Sequence, residues 1–303
     1  MSNTITRPRT LEFSVLDIAA QPHPVGVYVE LFKIARKLRR AIKVQGQDFA
    51  ELSELKFKKN ADGKVESISG DIYRFTKIDE KAAWFDTVTG EPASDELVGK
   101  VSIPKNLRPN TKVIHWVFIV KNHMLVFVRR NGKATLSPGQ AANFFDVLMN
   151  MAVRSHSKAT YVDVTPVKSA EAIERIFKDR TVTSLEIEIR RPNADGPGEA
   201  LRKIERIMEE ENARKWTETL TAVEGTSIQK SKRLDEMLIA SQRCGKAKAI
   251  TYIEGGAKEE INTADHPIIE PRIYDPESKV PLLTFVAAIG TALVASLIAS
   301  RRK

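Results

Sequence analysis

Apolar and polar residues alternate over residues 11–19, a period of two that predicts a strand. Pro22, His23 and Pro24 break it. Over residues 25–42 the period lengthens: Val27, Leu31, Ile34, Leu38 and Ala41 recur at spacings of four and three, one apolar stripe of a helix. Strand patterns return at 52–58 and 68–78, with Asn60-Ala61-Asp62-Gly63 between them; Asp-Gly flanked by alternating segments marks a hairpin. Residues 84–88 predict a short strand, and 91–110, with three prolines, a loop. Residues 113–120 and 124–130 make the strongest hairpin, turning near Lys121 and Asn122. Ser137 and Pro138 suit the cap and first turn of a helix reaching about Met151.

In the second half, residues 160–167 predict a strand and Ser169 caps a helix to about Lys178. Residues 184–191 place Leu185, Ile187 and Ile189 on one strand face. A loop over 192–198 leads to a long charged helix over 199–224, a shorter helix within 228–239 and a strand over 247–254. The fold class is α+β, with mixed or antiparallel sheets and flanking helices. Strand, proline-containing loop and helix around Leu11 and Leu31 parallel those around Leu185 and Leu201, which allows two related lobes. The expected organisation is an N-terminal lobe over 1–155, a C-terminal lobe over 156–269, a linker over 270–279 and a membrane span over 280–300.

That last segment is the clearest signal. Residues 280–300 contain no charge and are closed by Arg301, Arg302 and Lys303. About 20 helical residues span the roughly 30 Å hydrocarbon layer. The trailing cations favour a cytosolic C-terminus. Against that, nearly all of the chain would have to cross without an apolar leader, which the opening residues lack. The bulk is therefore expected in the bacterial cytoplasm, tail-anchored in the inner membrane. Thr284, Ala288, Ala292, Ser296 and Ser300 recur every four residues, as do Ala287, Thr291, Ala295 and Ala299. With Gly290, the small residues Ala288, Ala292 and Ser296 are candidates for close helix packing in the bilayer and a homo-oligomer.

Charge sharpens the picture of the remainder. The 303 residues carry a formal charge of +9. Lys33, Arg36, Lys37 and Arg40 form a cationic row on the first helix, and Arg129 and Arg130 make a further cluster. Cations in this number suit phosphates, whether of DNA, RNA or anionic lipid. Chemistry-bearing motifs are sparse: no P-loop, GxGxxG after a strand, GxSxG, HExxH or CxxC occurs, and no cofactor is expected. Cys244 is the one cysteine, so an intrachain disulfide is excluded. His115 and His123 share a hairpin at positions too far apart for one metal ion. Asp48, Glu54 and Lys56 have the order of a divalent-metal nuclease core, in which an acid and Glu-x-Lys hold the ion and polarise a phosphate.

Pro22-His23-Pro24 with Tyr28-Val-Glu-Leu-Phe, Trp84-Phe-Asp-Thr with Glu91-Pro-Ala-Ser, Arg190-Arg-Pro-Asn, Asn212-Ala-Arg and Asp265-His-Pro together resemble an uncharacterised bacterial domain family known only as a domain of unknown function. The resemblance covers about residues 10–270 and implies no active site. Tyr73-Arg-Phe-Thr-Lys-Ile-Asp followed by Phe85 also resembles the DNA-binding cytosolic sensor of the phage lambda exclusion system, which works with a separate membrane protein. That likeness implies a sensor and membrane segment in one chain. The leading expectation is a membrane-anchored anti-phage sensor or effector that binds nucleic acid or another polyanion. A membrane-tethered nuclease or nucleotide-processing enzyme, and a tethered scaffold for a neighbouring protein, are the alternatives.

Overall fold

The computed structural model describes all residues except 1–6, 23, 25, 156, 193–198, 254–255 and 300–303. The expected loop at 192–198 and the basic tail, with Ser300, fall largely or wholly outside the described residues.

In chain order, β1 (Arg9–Gln21) leads to α1 (Val27–Leu38), then β2 (Ile42–Gln45), β3 (Asp48–Lys59) and β4 (Val65–Thr76). A small excursion follows: β5 (Phe85–Asp86), β6 (Glu91–Pro92) and α2 (Asp95–Val98). The hairpin of β7 (Lys112–Ile119) and β8 (Met124–Asn131) precedes β9 (Ala134–Thr135), α3 (Pro138–Arg154) and β10 (Tyr161–Pro166). Next come α4 (Ala170–Phe177), β11 (Arg180–Arg190), α5 (Glu199–Glu210), β12 (Lys215–Thr221), α6 (Lys232–Cys244), β13 (Gly245–Ile253) and β14 (Lys258–Asn262). The described chain closes with β15 (Glu270–Tyr274) and α7 (Leu282–Ala299).

The fold is α+β, and the sheets are antiparallel. A nine-stranded sheet runs β10-β1-β8-β7-β4-β3-β2, with β15 added to β1 and β9 to β8; a four-stranded sheet runs β12-β11-β13-β14. Strand alternation gives the large sheet two apolar faces. On the first face, Leu16, Ile18, Ile72, Trp116, Phe118 and Phe127 pack under α1 and α3. Phe32 of α1 stacks on Trp116 with ring centroids 5.2 Å apart, and Phe145 of α3 meets the same indole edge-on at 5.7 Å. Ser137 and Gln140 close a reciprocal capping box at the start of α3.

The second face is divided among several covers. α7 lies over β7 and β8, where Val286, Leu293 and Val294 join Phe13, Val15, Val117, Val126 and Val128 in a separate apolar cluster. Gly290 makes this approach fit, since a Cβ there would sit 2.3 Å from Val117 Cγ1. At the β10–β1 end the second sheet and its helices take over. That unit buries Leu185, Ile187, Ile189, Leu238 and Ala247 beneath α4 and α6, and α5 packs on α6.

Several local expectations change. The charged helix expected over 199–224 stops at Glu210, because Asn212 turns left-handed at φ 52° and β12 begins at Lys215. Polar residues fill that strand's exposed positions, hiding the inward row of Trp216, Glu218 and Leu220. α1 ends at Leu38 because Arg39 is left-handed, at φ 45°, and Ile42 belongs to β2. Residues 270–274, expected as linker, pair with β1 from Arg9 to Phe13. The segment expected as a plain loop over 91–110 contains β6 and α2. The proposed internal similarity is not matched by pairing: β11 pairs directly with the strand after its helix, whereas β1 pairs with β8, β10 and β15.

Candidate nucleic-acid and polyanion interface

β2 accompanies β3 only as far as Ala50, so from Glu51 onward β3 pairs with β4 alone and presents an edge. The C-terminal end of α1 arrives at this edge. The loop at 105–111 closes the other side, held where Thr76 N–H donates to the Pro109 carbonyl at 3.0 Å and Asn110 Nδ2 to Thr76 Oγ1 at 3.3 Å. Between them lies an open groove of about 710 Å³. Arg36 and Arg39 line one side, Lys105, Leu107 and Arg108 the other, with Tyr73 and Phe75 also in its lining. Tyr73 is 41% exposed and Leu107 56%. Glu51 is the one acid among the described lining residues. Four cations around an accessible phenol ring combine phosphate attraction with a surface on which a base can stack.

The cationic row expected on α1 is outward-facing: Lys33, Lys37 and Arg40 are exposed and Arg36 is half-buried. Lys33 sits 5.6 Å from the Phe57 ring centroid, using its charge partly on that ring. Arg129 and Arg130 are not brought into the groove lining; both pair with Glu12 of β1. Arg39, Lys105 and Arg108 replace them. Arg39 lies one residue beyond the helix, and the two loop cations reach the groove through hydrogen bonds far apart in sequence, so helical spacing could not reveal them.

Asp48, Glu54 and Lys56 do not converge. Asp48 and Glu54 lie six residues apart on one strand, roughly 20 Å. Asp48 accepts from Arg74 Nη2 at 2.7 Å and from Thr76 Oγ1 at 3.0 Å. Burial works to raise its pKa, but these hydrogen bonds together with the charges of Arg74 and Lys112 outweigh it and hold the carboxyl below its ordinary value. Glu54 and Lys56 are exposed. Among the described residues, no group of three or more His, Cys, Asp or Glu is placed to hold a metal ion. His115 Nδ1 lies 2.6 Å from Asp71, while His123 is buried and stacks on Tyr28 at 4.5 Å. Cys244 is buried, its thiol directed at the Ala240 carbonyl at 3.2 Å. In α7, Ala288, Ala292 and Ser296 face outward, and Gly290 is buried against the sheet.

Sequence reasoning missed a polar layer where the two sheets meet. Arg243 of α6 forms a fully buried ion pair with Asp17 of β1 and donates to the Asn122 carbonyl at 2.8 Å. Lys168 is 4% exposed beside them; burial pushes its ammonium from 10.5 down to about 8, against the pull of Cys244 and Asp17. Asp163 of β10 receives Arg190 at 3.2 Å and Arg214 at 3.0 Å, and Arg214 stacks on Tyr161 at 4.5 Å. Burial raises the carboxyl of neighbouring Asp146. Gln21 Nε2 donates to the Pro192 carbonyl at 2.9 Å. Arg190-Arg-Pro and Asn212-Ala-Arg thus serve largely to join the sheets.

The family model described as "Domain of unknown function (DUF4747)" matches residues 9–289, and the chain belongs to that family. No curated protein matches it. The match spans both sheets and the first part of α7, in keeping with the coverage expected from the sequence motifs.

Proposed function

With no activity to carry over from its family, we propose that this protein binds nucleic acid or another polyanion in the groove between α1 and the 105–111 loop. It acts from the cytoplasmic side of the bacterial inner membrane, as a sensor or effector of anti-phage defence. One observation carries the reading: Arg36, Arg39, Lys105 and Arg108 surround a groove lined by the exposed ring of Tyr73, with a single acid among the described lining residues. Such a site tracks a phosphate backbone and stacks bases without reading sequence. α7 supports the membrane half of the reading. It is long and apolar enough to cross a bilayer, with mean hydropathy 2.3 over 18 residues.

The test is binding of labelled single-stranded and duplex DNA and RNA to the purified chain across a salt series. Steep weakening with salt supports phosphate contacts, and its slope counts them. Reversal of Arg36, Arg39, Lys105 and Arg108 to Glu abolishes binding on this reading. Retained binding removes the groove from the account, and no binding by the unaltered chain at low salt removes nucleic acid.

A further inference from the structure

α7 carries two kinds of surface that do not belong to the same environment. Its inward face, Val286, Gly290, Leu293 and Val294, is matched to the large sheet closely enough that Gly290 admits no side chain. Beneath it, Phe13, Val15, Val117, Val126 and Val128 are at most 1% exposed. Its outward face shows Thr284, Ala288, Ala292 and Ala295 to solvent, without a charge anywhere from Leu282 to Ala299. A helix that permanently covers a sheet at a water surface carries charged residues outward. Two other helices of this protein obey that rule: α1 exposes Lys33 and Lys37, and α5 exposes Arg202, Lys203 and Arg206. α7, with no charged residue along its whole length, departs from that pattern.

We propose that α7 has two alternative positions, docked on β7 and β8 when the protein is in water and inserted across the bilayer when a membrane is met, each excluding the other. The inference rests on the membrane reading of α7. Exclusion follows from what shares the docking face. Asp71 and His115, 2.6 Å apart, lie on the same side of β4 and β7 as Val117. The sheet cannot accompany α7 into hydrocarbon without burying the Asp71 carboxylate and its imidazole partner. Release is opposed by baring the valine-rich sheet face, which keeps the helix docked until a bilayer offers it a better solvent. The segment before α7 provides the pivot: Pro276 and Pro281 flank Lys279, which is left-handed at φ 57°, and Tyr274 donates to the Val280 carbonyl at 2.8 Å.

A reversible lock separates the alternatives. A Cβ at position 290 would lie 3.3 Å from Val126 Cβ, close to the spacing of a disulfide. Val126→Cys with Gly290→Cys, together with Val117→Ala to remove the methyl at 2.3 Å and Cys244→Ala to remove the native thiol, ties α7 to β8 under oxidation. The full chain is mixed, oxidised or reduced, with vesicles of phosphatidylethanolamine and phosphatidylglycerol, washed with alkaline carbonate and floated. The expected result is a bond that forms in water, and carbonate-resistant flotation at least about tenfold greater after reduction, with the reduced form matching the unaltered chain. A bond that does not form in water overturns the docked position. Equal flotation of oxidised and reduced protein overturns mutual exclusion and leaves the membrane reading standing. No flotation of either form or of the unaltered chain overturns the membrane reading, and this inference with it.

Discussion

The guanidinium of Arg243, next to last in α6, meets the carboxylate of Asp17 in the middle of β1, and both side chains are 2% exposed. This pair ties the four-stranded unit to the nine-stranded sheet. Arg243 Nη2 also donates to Asn122, but Nη1 has no partner among the described residues. A buried pair adds little over an apolar replacement, whereas one member left alone is expensive. Arg243→Met is therefore expected to destabilise the chain by about 3–5 kcal/mol in urea unfolding. Combining it with Asp17→Leu is expected to recover most of that loss.

Lys168 adds a pH dependence to the same junction. Its folded value of about 8 lies below the ordinary 10.5. Between those two values the unfolded chain holds more protons than the native one, so this group's contribution to stability rises with pH across that window. Below the window its penalty is present in full. Lys168→Met should raise stability at neutral pH by on the order of 3 kcal/mol, an advantage that fades as pH approaches 10.5. Urea unfolding of both proteins at several pH values measures the difference.

In the groove, Arg36→Ala, Arg39→Ala, Lys105→Ala and Arg108→Ala are each expected to lower the slope of log affinity against log salt by about one. Arg129→Ala leaves that slope unchanged, because Arg129 is paired with Glu12. Tyr73→Ala is expected to weaken single-stranded binding by about 1–3 kcal/mol while affecting duplex binding less, since a paired base cannot leave its stack to lie on the ring. Fluorescence anisotropy at several salt concentrations checks all of these.

Gly245 follows α6 without an intervening loop and starts β13 beside Ile189. A Cβ there would lie 1.8 Å from the Glu188 carbonyl oxygen, a backbone atom that cannot swing aside. Gly245→Ala is expected to cost at least about 3 kcal/mol and to lower the thermal midpoint, the upper range for inserting atoms into packed structure. Calorimetry reports it.

The elements readable in advance were those with strong periodicity. The helical stripe through Val27, Leu31 and Ile34 and the β7–β8 hairpin stand where residue spacing puts them. β12 was unreadable because an edge strand with one solvated face, Lys215-Trp-Thr-Glu-Thr-Leu-Thr, follows a charged helix without a proline or glycine between them. β15 was hidden by its two-proline, charge-rich setting, and only the free side of β1 makes it a strand. Of the four groove cations only Arg36 was visible, in the α1 row; Arg39 lies just past the helix, and Lys105 and Arg108 join it because Pro109 and Asn110 are fastened to Thr76, some thirty residues earlier.

By itself the sequence determined the α+β class, the basic excess and the uncharged C-terminal helix, because each depends on local period or on composition. The tertiary structure decided which cations share a groove, which charges are used up between the sheets, and where α7 rests. Those outcomes depend on pairing between distant strands and on the space left beside them. Gly290 illustrates the difference. In sequence it is one small residue among many; against Val117 and Val126 it is the point at which helix and sheet meet.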